Sequence, residues 1–499
     1  MQIKTYLNSF HYLFYFLIIL FLQINIPVIS DDWFFINNEN YFIYNRPLSS
    51  YLITYLYPLI NFQFYIFDSF MFLKALYLFI IYIIFIYILA KLKFSSISPL
   101  YISFLIIFYP LHDSSTYWIW SIIHFLSFSL SMLSFVFYND RKLFLANSII
   151  FISLMLSYSC LPVVLFLLVY FIKFRNYKNI LNILFIFLVY IIYIITISDL
   201  NNLPRVGIGY NNFSDKIINI LNFKNFTFHL ISLFDIIGPS NIIKIYNSFL
   251  SINLISFLYI LLISFLVTSL YFKRKSLKLN LSLIIFFLII ALFSLLLFII
   301  TTKFPYIPFG LGNRVNLFIS PFIILMIVYL ISLTRIYYLR FAIFLIFNFI
   351  LISSIYSTNL YWKEINYKME VFNNNIMNLP KDKIIFLKNE KYFIYNLFKH
   401  IEFLNNDFYL DNYFLTYNLN KDNIYLLNSK NIYLNKNKIN EYIVYDVRNN
   451  NIKNYKNIDD INNIYLSYDD RLTRHWSINL IKNKNLLNFL PDYYRKKIN

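Results

Sequence analysis

Over residues 1–357 the chain alternates long apolar blocks with short polar breaks. A helix needs about 18 or more apolar residues to cross a bilayer. With the shorter runs taken as tilted or paired in hairpins, about eleven spans are predicted: 10–29, 69–90, 95–110, 118–138, 143–158, 161–174, 180–198, 249–272, 279–301, 317–334 and 341–357. The fifth and sixth meet at Ser159-Cys160-Leu161-Pro162, which reads as a tight hairpin. A signal peptide is the other reading of the first span, with Val28-Ile29-Ser30 as a poor cleavage site. Its length and the polar Gln23 and Asn25 argue against that.

From about 358 the pattern changes. Asn, Lys and Asp rise, and no spanning run remains. Short strand-like runs recur at Lys383–Leu387, Asn423–Leu427 and Glu441–Val447, with helix-like stretches such as 391–404 between them. The expected fold class is therefore mainly α. A polytopic transmembrane helix bundle occupies 1–357 and a soluble extracytoplasmic α/β domain occupies 358–499. Disorder is the competing reading of that tail.

Composition supports the membrane assignment. Of the 499 residues 59% are hydrophobic and 13% charged, whereas a soluble domain carries roughly 25% charge. The net charge of +19 is not read as a nucleic-acid signal, because much of the excess sits in short loops between apolar spans. Lys91 and Lys93; Arg141 and Lys142; Lys173, Arg175 and Lys178; Lys273, Arg274, Lys275 and Lys278; and Arg335 and Arg340 mark one set of loops. Positive-inside topology places that set in the cytoplasm. The N-terminus is then cytoplasmic, the C-terminal segment lies outside, and the host is the cell membrane. The loops 30–68, 111–117, 199–248 and 302–316 face outward. All five tryptophans, Trp33, Trp118, Trp120, Trp362 and Trp476, fall on that outer side or at its interface, where indoles favour the headgroup layer. The five glycines, Gly207, Gly209, Gly238, Gly310 and Gly312, lie in the outer loops as well. The single cysteine, Cys160, excludes an internal disulfide and a cysteine-based zinc site. There is no phosphate-cradling GxxxxGK or GxGxxG motif.

The residues that could carry chemistry lie in those outer loops. Asp31 and Asp32 directly follow the first span, at the negative end of its helix dipole, where acids are locally unfavourable. They read either as the first turn of an interfacial helix capped by Ser30 or as a catalytic or metal-binding pair. Arg46 either snorkels to headgroups or holds a phosphate bidentately. His112 and Asp113 open a short loop leading into Tyr117-Trp118-Ile119-Trp120, and offer a second acid at the same depth. The alternative is an ordinary polar turn beside an aromatic belt. His124 lies within the fourth span, where polar groups usually face the bundle interior. Arg314 follows Gly310 and Gly312 in an arrangement suited to an anion, or else it anchors a helix end. Arg205 stands beside Gly207 and Gly209, and the stretch 215–236 is apolar enough to lie on a membrane surface.

Together these features resemble the GT-C superfamily of membrane glycosyltransferases. The likeness rests on an acidic pair (Asp31, Asp32) delivered into a long first outer loop, a second acid (Asp113) in the next, a long later loop and an outer C-terminal domain. Arg46-Pro47 and Gly310-Leu311-Gly312-Asn313-Arg314-Val315 look similar to elements of bacterial members. The usual Asp-Glu pair is Asp-Asp here, which leaves open which carboxylate is catalytic.

The resemblance implies transfer of a sugar from a polyprenyl-phosphate donor, amid membrane lipids, to a glycan, lipid or protein acceptor outside the cell. Asp31, Asp32 and Asp113 would be the catalytic acids, one as general base. Arg46, His112, Arg205 and Arg314 would bind substrate, with arginines stabilising the departing phosphate. No cofactor is required, although carboxylate oxygens suit Mg²⁺ or Mn²⁺. No nucleic-acid partner is expected. The rival class is a transporter or flippase of lipid-linked saccharides, which would more often show internal repeats. An O-antigen polymerase or ligase fits less well, because the soluble mass is terminal.

Overall fold

The structure is a computed structural model that describes residues 9–27, 29, 32, 47–50, 52, 63–64, 67–92, 98–197, 223–272, 280–301, 306, 310–380, 382–388, 404, 407–419, 422–435, 441–447 and 451–468. Asp31, Arg46, Arg205 and the helix-like stretch beginning at 391 lie outside them, apart from residue 404.

The protein is mainly α. Among the described residues its main helices up to residue 376 are α1 (Ser9–Gln23), α2 (Ser69–Lys91), α3 (Pro99–Ile107), α4 (Ile119–Asn139), α5 (Leu143–Leu156), α6 (Leu161–Lys173), α7 (Tyr177–Ile197), α8 (Phe223–Ile237), α9 (Pro239–Leu250), α10 (Leu254–Tyr271), α11 (Leu281–Thr301), α12 (Ser320–Ser332) and α13 (Tyr337–Ile376), and shorter helices Asp407–Thr416, Ser429–Asn435 and Ile458–Tyr468 lie among the strands that follow. Helix α4 is central, and 17 of its 21 residues are buried. Ser129, Ser131 and Ser134 return their hydroxyls to carbonyls one turn back, as Ser131 does to Phe128 O at 2.7 Å, so polar groups in an apolar interior stay satisfied. Ser127 instead crosses to Ser153 O on α5 at 2.8 Å.

Lys91, at the end of α2, pairs with Asp140 at 2.9 Å, just past the end of α4. The turns after α4 and α6 place Arg141 and Arg175 at positive φ. In each, the following amide reaches back five residues, Lys142 N to Phe137 O and Asn176 N to Phe171 O, both at 2.9 Å. That is the Schellman closure of a helix end, here with arginine where glycine is usual. The turn 157–160 joins α5 to α6 where the sequence predicts a hairpin, and it encloses a fully buried Cys160.

The expected count of eleven crossings is not reproduced. Among the described residues six helices are long and apolar enough to cross a membrane, or seven if the bent pair Leu311–Phe318 with Ser320–Ser332 counts as one span. Four predicted spans fall on apolar helical stretches of 10–17 described residues: His11–Gln23, Leu143–Leu156, Tyr158–Lys173 and, within α7, Tyr177–Tyr193. The span expected at 95–110 holds only the 9 residues of α3, about 13 Å of helix at 1.5 Å per residue against about 30 Å of hydrocarbon. Conversely, Phe226–Leu250, spanning α8 and α9, passes the length and composition criteria inside what reads as an outer loop. Much of α10 faces outward, with Leu254, Ile255, Leu258, Tyr259 and Leu262 exposed, as a lipid-facing helix requires.

Helix α13 runs 40 residues without a break, through position 357 to Ile376. Beyond it, β3 (Ile384–Lys388), β4 (Ile424–Leu426), β5 (Tyr442–Asp446) and β6 (Asn451–Tyr455) form a sheet in the order β4-β3-β5-β6. They follow an antiparallel pair of two-residue strands, β1 (Gln63–Phe64) and β2 (Phe67–Asp68), nearer the N-terminus. In the larger sheet β3 is parallel to both β4 and β5, and β6 runs antiparallel to β5. Parallel strands buried on both faces read as continuous apolar runs, which is why β3, β4 and β5 fall on the predicted segments. Ion pairs Lys383–Glu441 (2.5 Å) and Lys388–Asp446 (3.2 Å) bracket the β3–β5 ladder. Phe372 of α13 packs on Tyr413 and Tyr445, with ring centroids 5.7 and 5.8 Å apart, so one face of the sheet continues the helical core.

Candidate functional site

The last carbonyls of a helix lack partners within it, and at the end of α1 other elements supply them. Asn359 of α13 donates to Leu22 O at 2.5 Å. Lys74 of α2 donates to Ile26 O and Pro27 O at 3.3 and 3.2 Å. Gln23 donates in turn to Thr116 O at 3.2 Å. Asn25, at φ 59°, turns the chain, and Asp32 follows, fully buried. Its Oδ1 accepts from the indole Nε1 of Trp118 at 3.1 Å.

The segment between α3 and α4 forms the centre of the site. Pro110 opens a 3-10 turn, Pro110–His112, and a helical turn Ser114–Tyr117 follows Asp113. Asp113 is buried, and its neighbours come from three distant parts of the chain. Oδ1 accepts from Lys244 Nζ of α9 at 3.0 Å and from Asn313 Nδ2. Oδ2 accepts from Trp362 Nε1 of α13 at 2.9 Å. Lys244 also donates to Pro110 O. Asn313 completes the exchange by accepting from the amide and hydroxyl of Ser114, and Asn316 donates to Leu111 O at 2.8 Å.

Asn313, Arg314 and Asn316 belong to the 3-10 segment Leu311–Phe318. It begins at Gly310, whose φ of 74° suits a residue without a Cβ. Arg314 is half-buried, and its guanidinium carbon stands 5.0 Å from the centre of the Trp118 ring. One indole therefore carries Asp32 at its N–H edge and Arg314 on its face.

Of the sequence-predicted residues, Asp32, His112, Asp113 and Arg314 come together here. His112 contributes packing and one bond: Nε2 meets Ile106 O at 2.8 Å and its ring lies edge-on to Phe125. Burial pushes its imidazole down to about 4, so it stays neutral at physiological pH. Asp31, Arg46 and Arg205 lie outside the described residues. The site also uses Lys244, Asn313, Asn316, Asn359 and Trp362, none of which sequence reasoning had singled out as functional. Their signal is a polar group in an apolar stretch, which does not reveal a partner more than a hundred residues away.

Among the described residues no group of three His, Cys, Asp or Glu side chains is placed to hold a metal ion. The surroundings of Asp113 do not fit a cation ligand, because its carboxylate already meets an ammonium, an amide N–H and an indole N–H. A separate open cavity of about 310 Å³ lies where α13 meets the sheet, lined by Ile376, Leu379, Ile385, Asn418 and Asp422, and contains none of the predicted residues.

No known family, curated protein or solved structure matches the chain.

Proposed function

We propose that this chain is a membrane glycosyltransferase that moves a sugar from a polyprenyl-phosphate donor to a glycan, lipid or protein acceptor on the extracytoplasmic face. The observation that carries the reading is the single indole shared by Asp32 and Arg314. A general base and a cation for a leaving phosphate must stand close together yet not neutralise each other. Trp118 keeps them on different parts of one rigid side chain: the carboxylate takes its N–H, and the guanidinium rests on the electron-rich face.

In the reaction, Asp32 or its neighbour Asp31 takes the proton of an acceptor hydroxyl. That oxygen bonds to the anomeric carbon as the bond to the phosphate oxygen breaks. The phosphate leaves with the electron pair, and Arg314 meets its charge. The extracytoplasmic side is supported by the charge pattern at the two ends of α4. The site sits at its first turn, and the basic turn with Arg141 and Lys142 follows its last. Positive-inside topology turns that basic end toward the cytoplasm.

The reading is tested with the full chain in lipid nanodiscs supplied with a polyprenyl-phosphate sugar and a glycan acceptor. Arg314→Ala should abolish transfer with little loss of protein from the membrane. Arg314→Lys should rescue only partly, since a point charge lacks the planar fork. Parental activity in the alanine variant would reduce Arg314 to a membrane anchor.

A further inference from the structure

We propose that Asp113 is the permanently ionised anchor that positions the Arg314 segment, with Lys244 as its counter-charge, and that it does not transfer protons. The inference rests on the reading above, in which Arg314 meets a phosphate.

Hydrogen-bond polarity comes first. Three donors converge on this carboxylate, from Lys244, Asn313 and Trp362. An ionised carboxylate only accepts, whereas a protonated one must also donate. A proton taken up by Asp113 would turn an oxygen into a donor facing a donor. A group so surrounded is suited to staying charged, which is the opposite of what a base needs.

The segment Leu311–Phe318 is 8 residues of 3-10 helix, twice the length at which that geometry usually stops. It therefore depends on outside support. The support comes from the Asp113 region: Asn313 on Asp113 and Ser114, Asn316 on Leu111 O, and Ser115 Oγ to Arg314 O at 3.4 Å. Asn313 directly precedes Arg314, so a shift of the anchor moves the guanidinium off the Trp118 face.

Lys244 and Asp113 are both almost fully buried, with side chains 3% and 1% exposed. Burying two charges is rarely a net gain in stability over an apolar pair, so a positional role explains why they are there. Lys244 also fastens α9 to the same loop through Pro110 O. The anchor thus joins α9, α13, the 110–117 loop and the Arg314 segment.

The two roles for Asp113 predict opposite signs for anion binding. Farnesyl phosphate is titrated into the full chain in nanodiscs and followed by tryptophan fluorescence. As an anchor, Asp113→Asn should weaken binding by the folded protein about tenfold to hundredfold, the worth of a charge-assisted hydrogen bond. Lys244→Gln, which keeps the carboxylate, should weaken it similarly, and Lys244→Arg should restore most of it. If Asp113→Asn binds as tightly as the parent or tighter while transfer is lost, Asp113 is the base and the anchor is overturned. The Lys244 variants decide the matter if Asp113→Asn fails to fold, because parental affinity in Lys244→Gln overturns the anchor too. Hydrogen exchange separates this from the broader reading. Lost protection confined to 311–318 in these variants supports the anchor even if the parent transfers no sugar. Unchanged protection there overturns it even if the parent does.

Discussion

Two polar layers cross this helical bundle, and they are built from different chemistry. One is the site, with Asp32, Asp113, Lys244 and Arg314. The other is neutral. Tyr15 and Tyr271 share a hydroxyl bond at 2.6 Å, Tyr101 donates to Asn348, and Asn348 donates to Thr268 at 2.8 Å. Helices α1 and α13 pass through both. Tyr15 is 8 residues from Gln23, and Asn348 is 14 from Trp362, so the layers stand roughly 12–21 Å apart along the helices at 1.5 Å per residue. Both layers pin several helices to one another, and the neutral one does so without a charged group in those bonds. Hydroxyls and amides are sufficient to register helices in an apolar medium. The charges of the other layer exceed what packing requires, and that excess is the argument for function.

The largest stability effect should separate the layers. Lys244→Met leaves Asp113 buried without its counter-charge. Breaking a buried pair from one side costs about 3–5 kcal/mol, read as a fall in the denaturant midpoint of the protein in detergent. A shift no larger than that of a surface lysine would mean that water or another cation already compensates Asp113.

Next comes His112, inside the charged layer but itself neutral. Its folded value of about 4 lies below the ordinary 6.5. Between those two values the unfolded chain binds a proton that the folded chain does not. The stability due to a neutral His112 is thus complete above about 6.5 and is lost as pH falls toward 4, to a total of about 3 kcal/mol. Unfolding midpoints from pH 7.5 down to 4.5 should fall more steeply for the parent than for His112→Gln. Parallel curves would place the acid sensitivity elsewhere.

The smallest effect belongs to the neutral layer. Asn348→Leu should cost about 0.6–1.7 kcal/mol, the range for hydrogen bonds between membrane helices. It should also leave transfer at the parental rate. A loss of transfer with the protein still folded would erase the functional distinction between the layers.

The same contrast explains what could be read in advance. The apolar blocks of α2, α4, α10 and α11 are plain in the sequence, as are the buried strands β3 and β5. Strand β6 was not, because Asn451–Tyr455 is an almost wholly exposed polar edge without the pattern of a half-buried strand. The full length of α13 was hidden because its apolar stretch stops well before the helix does. Within the outer loop α8 reads as a membrane-surface stretch and α9 as plain loop, since Asp235 and Lys244 interrupt the apolar pattern; both prove to be buried, Lys244 on Asp113 and Asp235 on Ser240 at 2.8 Å. Asp32, Asp113 and Arg314 were legible as unusual charges beside apolar spans. That Trp118 joins two of them was not, because the tryptophan reads equally well as part of an interfacial belt.

The central claim is that the acid on the Trp118 edge does chemistry. The direct measurement is sugar transfer from a polyprenyl-phosphate donor by the purified full chain in nanodiscs, for the parent, Asp31→Asn, Asp32→Asn and the double variant. Asn preserves the shape and removes the basicity, so the account predicts transfer by the parent and a loss of roughly 10²–10⁴-fold in the variant that lacks the base. Parental rates in both single variants and in the double variant would contradict it.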